Sequence, residues 1–505
     1  MKILLKHLLL SFVALSFSLQ GGAQTCADLF ARKASYIASQ KLETAPDSSF
    51  YTPWHSADPK DMKFLLKAYD ALNERVKVLT GAEVPYEVFE KRDIRFRPSM
   101  ENAPKLKAVV VYALNARLDF STGILLDALK YHASQGTEVV VVLSQINQRL
   151  FGLNPFSKAQ AIKQQEFLDV IKAAGNGTNV KALFWGESGS DQSNDATLRN
   201  MTSAMHAKAQ ITIGFDPKDS NYIGGGRNLA DNYYLETASD YSDRPDYIQY
   251  HKLGPDGKVV EKRESPFFSV SDFDIRVQNN DFAIDAATQL VNLLAVNDKT
   301  EILPFLGQSK PNALEALSAF GTSLRHFLSR PKVDDGKLEA SLIKDIRMAK
   351  QRIRIITPYV GNMPQLLTEL VAAANRGVDI ELITNLEIKG DDFAPGLVGA
   401  ANRSSLRKLD ISKLRIYGWN YKQPMVHIKI VQIDDDYLTS HAFNWNRRSF
   451  NYDVENGIEI VSPQAVERFN PIFEYIKTEL ADPVSEIKEV AFLQRMLIKL
   501  IGNNF

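Results

Sequence analysis

The order strand, helix, glycine-ended turn, strand is written twice in this chain. Lys107 to Leu114 is a short β-branched run, the signature of a buried strand. Ile124 to Ala133 has helical spacing, and Gln135-Gly136 ends it, because glycine accepts the left-handed cap. Thr137 to Leu143 is the next strand. The same order returns at Gln351 to Tyr359, Pro364 to Asn375, Arg376-Gly377 and Val378 to Asn385. Continuous apolar strands alternating with helices predict an α/β fold whose parallel sheets are covered on both faces. The repeated unit is far longer than a solenoid repeat, so the chain reads as two duplicated halves.

Each half then reaches the same tripeptide. His206-Ala207-Lys208 precedes the apolar run Ala209 to Ile213, and His427-Ile428-Lys429 precedes Ile430 to Ile433. Residues two apart on a strand face the same side, so each histidine and lysine point together into one cleft. An imidazole, with its pKa near neutrality, can act as nucleophile or general acid. An ammonium neutralises charge that develops on phosphate oxygens. Polar loops follow: Gly224-Gly225-Gly226-Arg227-Asn228 in the first half, and Asn444 to Ser449 in the second. The amides of Asn228 and Asn444 are donors to the same oxygens. Acidic strands come next, Ser271-Asp272-Phe273-Asp274 and Asp453-Val454-Glu455. Asp274 and Glu455 are read as matching positions, each holding an imidazole tautomer through its second ring N–H. A single copy reads as a satisfied histidine beside a solvated lysine. Two copies point to one phosphodiester site shared between the halves.

These residues resemble the phospholipase D superfamily. His427, Lys429, Asp434 and Asn444 keep that family's spacing, while His441-Ala442 replaces its Gly-Ser pair. The first copy has His206, Lys208 and Asn228, with Ile213 where the family has aspartate. The loop Gly225 to Tyr233 is similar to that of bacterial cardiolipin-synthase-like members. The resemblance runs from about residue 105 to about residue 480. It implies two lobes, each a mostly parallel sheet flanked by helices, related by a pseudo-twofold with the active site between them. The implied catalytic set is His206, Lys208, Asn228, Asp274, His427, Lys429, Asp434, Asn444 and Glu455. One histidine would form a phosphohistidine and the other would protonate the leaving alcohol. His206 is expected to be the nucleophile and His427 the acid/base, with no metal and no cofactor. The departures at Ile213, His441 and Ala442 leave open a degenerate member that only binds phosphate.

Composition sets the surroundings. Of 505 residues 45% are hydrophobic, enough for a large core, and Lys+Arg 60 balances Asp+Glu 60. A dedicated nucleic-acid binder carries a basic surplus, so phospholipid is the expected substrate and a metal-independent nuclease the alternative. Lys2 and Lys6, the apolar run Leu8 to Leu15 and the small residues Gly21 to Ala23 form a secretory signal pattern. Export to a periplasm or the medium, with peripheral membrane contact, is the expectation. Cys26 is the single cysteine, which rules out an intrachain disulfide, and Ala23-Gln24-Thr25 before it is a poor lipidation match. The domain reading is 1–23 signal peptide, 24–104 N-terminal helical extension, 105–300 first lobe and 301–505 second lobe. The tail Val490 to Leu500 is expected to pack on the core as a helix rather than lie as an amphipathic surface helix.

Overall fold

The computed structural model describes residues 50–146, 155–186, 203–234, 252–253, 259–261, 270–295, 321–330, 333–387, 393–409, 411–420 and 423–501. The signal pattern at 1–23, Cys26 and the boundary near residue 300 lie outside these residues.

The N-terminal strands are β1 (His55–Ala57) and β2 (Met62–Leu65). The first half contributes β3 (Leu106–Ala113), β4 (Glu138–Ser144), β5 (Val180–Trp185), β6 (Ala209–Gly214) and β7 (Asn221–Gly225). A small hairpin, β8 (Lys252–Leu253) and β9 (Val259–Glu261), precedes β10 (Val270–Ser271) and β11 (Asp274–Gln278). The second half has β12 (Thr322–Ser329), β13 (Arg352–Ile356), β14 (Asp379–Thr384) and β15 (Arg415–Trp419). It closes with β16 (Met425–Val426), β17 (Ile430–Ile433), β18 (Tyr437–His441), β19 (Glu455–Val461) and β20 (Ala481–Pro483).

Two large sheets form, ordered β2-β11-β7-β6-β3-β4-β5 and β1-β12-β19-β18-β17-β13-β14-β15-β20. The core order β11-β7-β6-β3-β4-β5 of the first is matched by β19-β18-β17-β13-β14-β15 in the second. The α/β reading therefore stands, with one correction to strand direction. Within these two sheets only β3-β4-β5 and β13-β14-β15 pair in parallel; β6, β7 and β11, and β17, β18 and β19, are antiparallel additions, so each sheet is mixed. The physical cause is connection length. The β3–β4 and β13–β14 connections are helices long enough for a parallel crossover, whereas β6–β7 and β17–β18 are joined by short turns that reverse the chain.

The two glycine-ended turns close their helices in the same way. Gly136 and Gly377 sit at φ 82° and 89°. Thr137 N–H donates to His132 O and Val378 N–H to Ala373 O, both at 3.1 Å, which satisfies the last carbonyls of each helix. The strands that follow are buried, with Val139 to Leu143 and Ile380 to Ile383 at 3% exposure or less.

The N-terminal segment is more than a helical extension. Helical spacing around Met62 to Tyr69 resolves into a strand, Met62–Leu65, and a helix that begins at Ala68. The open edge of β11 captures β2, and the edge of β12 captures β1, so one short segment borders both sheets. Arg325 anchors it: its guanidinium stands 3.3 Å from the Tyr51 ring centroid and 4.5 Å from that of Trp54, while its Nη2 meets Glu459 at 2.7 Å. The tail differs from expectation too. The helix Phe492–Ile501 lies beside the helix Phe393–Leu406, but Phe492 is 76% and Leu493 66% exposed. Among the described residues no helix is long and apolar enough to cross a membrane.

Candidate active site

The two tripeptides meet where the halves face each other. Each is held by the acidic strand of the opposite half. His206 N–H donates to Val454 O at 2.9 Å, and His427 N–H donates to Ser271 O at 2.7 Å. β10 runs parallel to β16, and Met205 bridges to Val454 in the same sense. The residue after each acceptor carbonyl is the carboxylate of the site. His206 Nδ1 lies 2.9 Å from both Glu455 oxygens, and His427 Nδ1 lies 2.7 Å from Asp272 Oδ2. Each histidine is thus oriented by a carboxylate from the other half.

This register corrects the pairing of Asp274 with Glu455. The residue equivalent to Glu455 is Asp272, two positions earlier. Asp274 is fully buried and bonds Arg75 at 3.1 Å and Arg227 at 3.5 Å. It balances two buried guanidinium groups instead of touching an imidazole. Two residues along a strand keep the same face, so alternation in the sequence could not separate Asp272 from Asp274.

Asp434 is corrected as well. It stands seven positions past His427, roughly 20 Å along an extended chain at about 3.3 Å a residue. There its side chain accepts backbone N–H bonds from Lys350, Gln351 and Arg352, and its own backbone is left-handed at φ 50°. It caps the turn into β13, away from the chemistry. The equivalent position in the first half is Ile213, beside a register shift between Leu106 and Ala108 in the β3–β6 pairing. The missing aspartate therefore leaves the first histidine's surroundings untouched.

Both lysines are buried at the centre. Lys208 Nζ donates to His206 O at 2.8 Å, and its backbone N–H donates to Asn456 Oδ1 at 2.8 Å. Lys429 Nζ bonds His427 O and lies 2.8 Å from His427 Nδ1. Burial lowers Lys208 to about 8 and Lys429 to about 7, against the pull of nearby Glu455 and Asp272. Burial also lowers both histidines, His427 to about 4, aided by the lysines. His206 is affected by Lys429 and His427 as well as by Lys208, so the four groups form one electrostatic unit.

The carboxylates differ. Burial pushes Asp272 up, but His427, Lys429 and Arg227 outweigh it and hold Asp272 below its usual value. Arg227 Nη2 donates to Asp272 O at 2.6 Å. Glu455 is raised to about 8, by burial first and then by Asp453 beside it. Asp453 Oδ1 accepts Ala204 N–H at 2.8 Å and faces the Arg448 guanidinium at 3.2 Å. Burial thus drives His206 and Glu455 each toward its neutral form, which weakens the ionic character of their contact.

The motif asparagines are not equivalent. Asn228 Oδ1 accepts Leu114 N–H at 2.9 Å and its Nδ2 donates to the Tyr233 hydroxyl at 2.7 Å. Asn444 Oδ1 is buried without a hydrogen-bond partner. The sequence reading missed Asp272 and Asp453 as site residues, although both stand in the acidic strands it singled out. It also missed Tyr233 and Asn456. His206, Asp453 and Glu455 bring three donor atoms within 4.8 Å of one another, a grouping that could hold a cation. Asp453 and Glu455 are already engaged by the protein donors described above.

A two-lobed α/β frame with reciprocal histidine–carboxylate pairs and two converging lysines is a phospholipase D-like site. The family described as cardiolipin synthase, PLD-like domain, matches residues 342–477. The second half of the chain is thus similar to the PLD-like domain of bacterial cardiolipin synthases. The chain is 29% identical over 129 residues to a probable cardiolipin synthase of Bacillus subtilis, covering 26% of this chain and 24% of that protein. It is 25% identical over 205 residues to a CDP-diacylglycerol–serine O-phosphatidyltransferase of Haemophilus influenzae, covering 37% of this chain and 38% of that one. The chain thus aligns with less than half the length of these curated relatives. The solved phosphatidylserine synthase of Haemophilus influenzae superposes with a TM-score of 0.60 over 93% of this chain and 100% of that chain, at 15% identity, which shows a shared fold.

Proposed function

We propose that the protein is an exported phosphodiesterase or phosphatidyltransferase acting on phospholipid headgroups. The observation that carries this reading is the reciprocal pairing of His206 with Glu455 and of His427 with Asp272 around two buried lysines. One imidazole attacks phosphorus and forms a P–N bond as the ester P–O bond breaks. The other imidazole gives its proton to the leaving alcohol. It then takes a proton from water or an acceptor alcohol, which attacks phosphorus and breaks the P–N bond. Lys208 and Lys429 stabilise the phosphoryl oxygens. Hydrolysis and transfer differ only in which hydroxyl completes the second half. The sequence alternatives, a metal-independent nuclease and a non-catalytic phosphate binder, become outcomes of one assay. Phosphatidylglycerol vesicles and DNA are offered in chelator to the wild type and to His206→Ala and His427→Ala. Headgroup release or transfer that both substitutions abolish supports the reading. DNA cleavage alone, or turnover that survives either substitution, rejects it.

A further inference from the structure

The loop after β7 ends at Tyr233, whose ring stands at 79° to the His427 imidazole with centroids 5.5 Å apart. Tyr233 belongs to the first half and His427 to the second, so this contact lies in the shared site. The tyrosine is only partly buried. A phenol offers one donor and two acceptor positions. The Asn228 amide donates to the hydroxyl oxygen at 2.7 Å, which fixes that oxygen and leaves its proton free to donate. Among the described residues no acceptor takes that proton. Burial keeps the phenol protonated well above its ordinary range, so it remains a donor at any working pH.

The second half handles the equivalent place differently. Tyr233 follows Asn228 by five residues, as Ser449 follows Asn444. The Ser449 hydroxyl accepts Asn444 N–H at 3.0 Å and bonds Glu455. Ser449 is therefore occupied within the protein, and Asn444 keeps a free amide oxygen. In the first half the asparagine is occupied and the hydroxyl proton is free. Of the two hydroxyls at this place, only that of Tyr233 keeps an unengaged proton.

We infer that Tyr233 is a further substrate-contacting residue, whose hydroxyl, set by Asn228, donates to a non-bridging oxygen of the phosphate bound beside His427. This rests on the phosphodiester reading above. The test uses the full chain and orthovanadate as a phosphate analogue. Tyr233→Phe keeps the ring against His427 and removes only the hydroxyl. The expected result is roughly tenfold weaker vanadate binding, the loss of one hydrogen bond, with a similar fall in kcat/KM on the diester. Replacing Tyr233 by 3,5-difluorotyrosine keeps ring and oxygen but makes the phenol ionise at lower pH. An alkaline loss of vanadate binding that the wild type lacks should then appear, an effect that a purely structural tyrosine would not produce and that needs no loss of contacts. Wild-type binding that neither substitution alters overturns the role of Tyr233 alone. A wild type that neither binds vanadate nor turns over any phosphodiester overturns the underlying reading along with it.

Discussion

His206 Nδ1 lies 2.9 Å from both oxygens of Glu455, a residue 249 positions later in the chain. The mirror contact joins His427 to Asp272, again across the two halves. Neither half can complete a histidine–carboxylate pair alone. The site exists only when the β10–β16 and Met205–Val454 seams are formed.

The register predicts which carboxylates matter for turnover. Asp272→Asn and Glu455→Gln should each lower kcat by about 10²–10⁴, because a neutral amide no longer enforces the imidazole tautomer or stabilises its cation as the carboxylate does. Asp274→Ala should act on stability instead, costing about 3–5 kcal/mol by leaving Arg75 and Arg227 buried without their carboxylate. Steady-state kinetics beside denaturant melts separate the two. If Asp274→Asn lost as much turnover as Asp272→Asn with no loss of stability, the register described above would be wrong.

Asp434 is expected to behave as a turn residue. Asp434→Ala removes the acceptor for three backbone N–H groups, a loss on the order of 1–3 kcal/mol or more. The kcat of the folded fraction should stay at the wild-type value. A catalytic defect in protein whose melting temperature is unchanged would contradict this.

Glu455 makes stability depend on pH in a defined direction. Its ordinary value is 4.5, and in the fold it is raised to about 8, by burial and then by Asp453. Between those values the native state holds a proton that the unfolded chain has lost, so stability falls as pH rises. Glu455→Gln carries no such proton. The variant should gain on the wild type from about pH 5 to about pH 8, and the gap should level off above that. Urea titrations across this window provide the measurement, and a gap independent of pH would refute the shift.

Packing around Gly457 gives a fourth test. Position 441 pairs with Gly457, and position 225 pairs with Asp274 at the equivalent place in the first half. The first half puts glycine opposite a large residue, and the second reverses the order. A Cβ on Gly457 would come within 2.6 Å of the Phe327 ring and 2.7 Å of His441 Cβ. Gly457→Ala should therefore cost about 1–3 kcal/mol through overpacking. Adding His441→Gly should recover part of that loss in a thermal melt. No recovery would mean that Phe327 alone sets the limit.

Much of the frame was legible in the sequence because its signals are local. The runs ending at Gly136 and Gly377 announce strand, helix and cap by period and by glycine alone. His206, Lys208, His427 and Lys429 could be chosen because a tripeptide repeated in two halves outweighs either copy. Antiparallel β6, β7 and β11, and β17 to β19, were harder to read, since direction depends on how long each connection is. The strand Met62–Leu65 was hidden because only the open edge of β11 makes it one.

The sequence by itself determined the duplicated order, the two histidine–lysine pairs and the acidic strands beside them. Which acid meets which histidine was decided by the tertiary structure. Asp272 and Asp274 share a face and a residue type, and only the bond from His427 N–H to Ser271 O sets the register that brings Asp272 to the ring. The same holds for Asp434, whose spacing from His427 fits a motif but whose carboxylate reaches three backbone N–H groups at the far end of its strand. Hydrogen bonds between segments distant in sequence fix these choices, and no local pattern encodes them.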